Sequence, residues 1–73
     1  MDRATELTHL RKAEEDISKA HERIERQCAL IARLREQGHD VTAANSMLRT
    51  MRDTLAVMEA HRQLIEKELS RPT

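Results

Sequence analysis

Arg33-Leu34-Arg35-Glu36-Gln37-Gly38-His39-Asp40-Val41-Thr42 is the stretch whose reading decides the fold, because Gly38 is the only glycine in the chain. Glycine suits the left-handed position that ends a helix, where a side chain is strained. Arg33 and Arg35 precede it, where cations complement the negative end of a helix. Beyond it, Asp40 or Thr42 can accept hydrogen bonds from the free amides that open a second helix. Thr42 is the preferred cap, since Ala43 to Leu69 then runs uninterrupted. A link this short joins antiparallel neighbours in helical bundles. The expected fold is all-α: one helical-hairpin domain over residues 1–73, with a helix over 4–37, a turn over 38–41 and a helix over 42–70.

Outward from the turn, each arm carries an apolar stripe. Leu7, Leu10, Ile17, Ile24, Cys28 and Ile31 mark the first arm, widened by Ala13, Ala20, Leu30 and Leu34. Val41, Ala44, Leu48, Met51, Leu55, Met58, Ile65 and Leu69 mark the second. Residues separated alternately by three and four positions return to one helical face, so each stripe must be covered by another helix. Folding back at His39-Asp40 is expected to set Ile31 near Leu48, Cys28 near Met51, Ile24 near Leu55, Ile17 near Arg62 and Leu10 near Leu69. Glu14, His21 and Arg62 stand at stripe positions where leucine is expected. Two readings follow for Glu14 and Arg62: an ion pair across the seam that sets register, or two side chains extending into water at its rim.

Met47, Thr50, Thr54, Val57, His61 and Leu64 form a second, weaker stripe on the later arm. It cannot face the first arm together with the main stripe. Broad apolar faces suit a helix with two neighbours, so the hairpin is expected to homodimerise into a four-helix bundle, with a longer coiled-coil assembly as the other solution. Size points the same way. Below roughly 70–80 residues a single core rarely supplies more than about 3–5 kcal/mol, and this chain has 73 residues.

Composition narrows the function. Thirteen Lys and Arg balance thirteen Asp and Glu, eight of each sign in residues 1–37 and five of each in 38–73. No basic stripe and no nucleic-acid or membrane partner is expected from that balance. Phe, Tyr and Trp are absent, which removes aromatic stacking on bases. The longest apolar run, Cys28 to Ala32, is too short to span a bilayer, and the N-terminus lacks a signal-peptide pattern. With a single cysteine, a cytoplasmic location is expected.

Candidate chemistry is sparse. Glu14-Glu15-Asp16 points its carboxylates to different sides of a helix, Ser46 and Ser70 have no base at a useful spacing, and no glycine-rich loop is present. No enzymatic activity and no cofactor is expected. Cys28, His21, His61, Met51 and Met58 are the groups a metal or redox sensor could use, but seven residues separate His21 from Cys28, about 10 Å along a helix. Methionines at helical spacing fill cores, and a lone cysteine acts as a small hydrophobe.

Gln27, Leu30-Ile31, Leu34, Gly38-His39-Asp40, Leu48, Met51, Leu55, Met58, His61-Arg62 and Ile65 give the segment from Ile24 to Leu69 a resemblance to a group of short, uncharacterised bacterial proteins built as a helix, a glycine turn and a second helix. The resemblance implies a bacterial intracellular hairpin and no particular activity. The expected function is a non-enzymatic, self-associating interaction or regulatory module. An adaptor whose apolar face binds a different helical protein is the alternative, and a metal or redox sensor using Cys28 is the second.

Overall fold

The computed structural model describes residues 2–72, which form two antiparallel helices, α1 (Arg3–Glu36) and α2 (Thr42–Leu69). Together they make a rod of 58 × 15 × 12 Å. Asp2 opens α1, its Oδ1 accepting from the Ala4 amide at 3.3 Å. At the other end Gly38 adopts φ +75. Its amide donates to Arg35 O at 3.0 Å, and the His39 amide donates to Leu34 O at 2.8 Å. That pair of backward bonds satisfies carbonyls a helix end otherwise leaves to solvent, and it needs the left-handed glycine.

The opening of α2 differs from expectation. Thr42 does not act as the accepting cap; Asp40 does. Its Oδ1 accepts from the Thr42 amide at 3.0 Å and from Thr42 Oγ1 at 2.7 Å. Asp readily bonds the backbone two residues on, and a carboxylate is a stronger acceptor than a hydroxyl. Thr42 is the first helical residue, and the Val41 carbonyl receives the Asn45 amide at 2.8 Å.

Burial defines the seam. On α1 buried and half-buried residues recur at Glu6, Leu10, Ala13, Ile17, Ala20, Ile24, Gln27, Ile31 and Leu34, with half-buried Asp16 and Leu30 beside that row. From Val41, just before α2, they recur through Ala44, Leu48, Met51, Leu55, Met58, Arg62, Ile65 and Leu69, with half-buried Asn45 and Glu59 beside that row. Both rows alternate steps of three and four without a break, the pattern of a coiled-coil seam. Matching them in antiparallel order sets Leu34 across from Val41, Ile24 from Met51, Ile17 from Met58, Ala13 from Arg62 and Leu10 from Ile65. This register agrees with Gln27 Nε2 donating to Ala44 O at 2.9 Å near the turn and Arg3 Nη1 donating to Leu69 O at 2.9 Å at the open end. It lies one helical turn from the alignment expected above, which set Leu48 rather than Ala44 beside Ile31. Small residues then meet large ones: Ala44 lies across from Ile31, Ala20 from Leu55, Ala13 from Arg62.

Two stripe positions need correction. Cys28 is exposed, and its expected place in the seam belongs to Gln27, which is buried. From Ile24 to Ile31 the steps can run four then three, through Cys28, or three then four, through Gln27. Only the second keeps phase with Ala13, Ile17 and Ala20. Gln27 tolerates burial because its amide has the Ala44 carbonyl as partner. Leu7 is likewise 44% exposed, and Glu6 is buried in its place. Glu6 Oε1 lies 3.4 Å from His9 Nδ1 but makes no hydrogen bond.

Candidate interaction surface

The residues that pack the hairpin also fix what its two broad sides present. Beside the seam on α2 run Met47, Thr54 and His61, and beyond them Thr50, Val57 and Leu64, each row at seven-residue spacing and all exposed. Met47 is 59%, Leu64 61% and Val57 70% exposed. They are the expected secondary stripe, and a single hairpin leaves it uncovered.

The same side is grooved. One hollow of about 300 Å³ is lined by Asp16, Lys19, Ala20 and Arg23 of α1 and by Thr50, Met51, Thr54 and Met58 of α2. A second, about 230 Å³, lies along the rod between Ala13 and Asp16 on one side and Val57, Met58 and His61 on the other. Ala13 and Ala20 create both, because a methyl group leaves the seam unfilled on that side while Met58 forms the floor.

Sequence reading missed the α1 edge of this groove. Lys12, Lys19, Arg26 and Arg33 recur every seven residues and are all exposed, so they form one row of cations. The row contradicts the expectation of no basic stripe. Counting charge along the chain averages over directions that a helix separates, whereas the seven-residue period was the signal that could have found it. Glu15 and Glu22 adjoin the row on its outer side. Even so, Glu15 with Lys19 and Glu22 with Arg26, each acid preceding its base by four residues, form no ion pair among the described residues. Of the four cations only Lys12 is in an ion pair there, with Asp16 Oδ1 at 3.0 Å. That hydrogen bond, more than the accompanying attraction, holds the Lys12 ammonium above its ordinary pKa.

The opposite side is polar. His21 Nε2 approaches Glu59 Oε1 at 3.7 Å across the helices, a contact that carries charge only while the imidazole is protonated. Cys28 and Glu14 share that side's α1 edge by their seven-residue offsets from His21, and both are exposed. The proposed Glu14–Arg62 pair is absent. Arg62 lies across from Ala13 and turns along its own helix, its Nε 3.2 Å from Glu66 Oε1. Nε is nonetheless a buried atom without a hydrogen bond, the alignment to Glu66 being poor. Glu14 is exposed and Arg62 half-buried with 34% of its side chain accessible, the pattern of side chains extending into water at the rim of the seam.

At the turn, the bonds from the Thr42 hydroxyl and amide hold the Asp40 carboxyl below its ordinary pKa. No three His, Cys, Asp or Glu side chains among the described residues converge to hold a metal ion. No helix of the described residues is long and apolar enough to cross a membrane. Comparison with known proteins found no matching family model, no matching curated protein and no matching solved structure.

Proposed function

We propose that the protein is a non-enzymatic helical interaction module that works by offering the α2 stripe to another helix. The exposure of Met47, Val57 and Leu64 on one side of a folded rod carries this reading. Helix-in-groove recognition uses anchors at this three-and-four spacing, and exposed apolar rows bounded by polar residues mark such contacts. We place it among cytoplasmic proteins, since its apolar segments suit helical partners and its lone thiol suits a reducing compartment.

Two occupants are compatible with the stripe: a second copy, completing a four-helix bundle, and the helix of a different protein. The cation row favours the second. Two copies stacked about a two-fold axis place either α1 on α1 or α1 on α2 of the other copy. The first sets Lys12, Lys19, Arg26 and Arg33 against their own image; the second lays them over the apolar row of Val57 and Leu64. Both arrangements carry an electrostatic or desolvation cost.

A photo-crosslinking residue at Val57 or Leu64, tested in the native cell, should yield one discrete adduct, and the same residue at the exposed Gln63, turned away from that row, should yield none. An adduct of twice the chain mass identifies a second copy, and any other discrete mass identifies a different partner. Absence of adducts at both positions would remove the reading.

A further inference from the structure

Resting on the docking reading above, the geometry points to a partner of definite chemistry: we infer that the groove side accepts an amphipathic helix with one acidic edge, its apolar face on Val57 and Leu64 and its carboxylates along the α1 cation row. Three observations converge. First, the two edges of the groove differ in kind. The α2 edge is apolar and the α1 edge is cationic, so a ligand must carry both characters on opposite flanks. Second, Lys19, Arg26 and Arg33 have no carboxylate within ion-pairing distance among the described residues, so their charge is available to a partner; the ion pairs formed there involve other cations. Third, both edges repeat every seven residues. From Lys12 to Arg33 the row covers about 32 Å at 1.5 Å per residue, a length and period that another straight helix matches turn for turn.

Competing occupants fit less well. A bilayer is flat on this scale and cannot fill the hollows beside Ala13 and Ala20. A nucleic acid would meet the cations but leave Val57 and Leu64 without an apolar partner, in a chain with no aromatic side chain to stack on bases. A second copy would either oppose like charges or lay the cation row over Val57 and Leu64, as argued above.

The test uses the full chain and two synthetic 28-residue helical peptides that share a Leu stripe and differ only in carrying Glu or Lys along one edge. Fluorescence anisotropy should show the Glu peptide binding about tenfold or more tightly than the Lys peptide, the ratio that exposed ion pairs of ordinary strength to Lys19, Arg26 and Arg33 multiply to. The preference should fall below about threefold in Lys19→Glu/Arg26→Glu, or in the milder Arg26→Gln/Arg33→Gln, and at 1 M salt. Val57→Asp should weaken both peptides. All these positions are exposed, and circular dichroism checks that the hairpin persists.

Equal binding of the two peptides, with Val57→Asp still damaging, would overturn the acidic-edge inference and leave the docking reading standing. Peptide binding unaffected by Val57→Asp would defeat the docking reading itself. Failure of both peptides to bind would overturn the inference, with light scattering at dimer mass identifying a second copy as the occupant. Binding to phosphatidylserine vesicles or duplex DNA in place of the Glu peptide would overturn it equally.

Discussion

Replacing Gln27 by alanine removes a buried side chain and its hydrogen bond to Ala44 O at once. The expected loss is about 1–3 kcal/mol, since the cavity and the missing bond add while the Ala44 carbonyl keeps its place in the helix. Cys28→Ala should change stability by no more than about 0.5 kcal/mol, as for an ordinary exposed site. Urea unfolding followed by circular dichroism ranks the two, and the reverse order would restore Cys28 to the seam. Asp40 gives a second prediction at this scale. Its folded-state pKa is depressed by the bonds from Thr42, so its contribution is present above the unfolded carboxyl value and disappears as pH falls through the folded one. Helicity should therefore decline with acid below about pH 4, and Asp40→Ala should be less stable at pH 7 yet lose less than the parent over that range. Carbon-detected NMR titration of the Asp40 carboxyl should show a midpoint below the usual aspartate range.

Among the elements, the turn is set by backbone and the seam by phase. A Cβ built at Gly38 meets no atom within 4 Å, so Gly38→Ala suffers only from the left-handed φ, about 1–2 kcal/mol. Gly38→Asn should lose less, because asparagine tolerates that conformation; chemical denaturation of the two variants measures the difference. Arg62→Leu should stabilise the hairpin by about 1 kcal/mol, because it removes a buried Nε without a hydrogen bond and leaves apolar volume against Ala13. The hairpin itself was legible in the chain: one glycine, two uninterrupted arms and stripes of the right period admit few alternatives. The α2 seam was equally plain, as eight of its nine members are apolar, with Arg62 the polar exception. What hydrophobicity could not reveal was the α1 phase near Cys28, where the apolar choice and the geometrically consistent choice are adjacent residues. The register followed from that choice and shifted with it. The groove's basic edge was hidden for a different reason, since net charge carries no direction.

At the scale of the whole molecule, one seam between two helices is a thin core. The largest apolar side chains in it are half-buried apart from Ile17, Ile31 and Ile65. The isolated chain should unfold with a free energy of no more than about 3–5 kcal/mol, measurable by urea titration at low protein concentration. A helix bound in the groove should raise the thermal midpoint in proportion to the logarithm of its excess over Kd. The two ends of the rod are also unlike. At one, backbone bonds around Gly38 close the loop; at the other, Arg3 reaches from the first turn of α1 to the Leu69 carbonyl. Entry and exit of the described chain therefore lie side by side, on the far tip from the bend. A fluorescent protein or surface linker attached at either terminus would emerge from that single tip, and two attached at once would crowd each other while the flank carrying Val57 stayed unobstructed along most of its length.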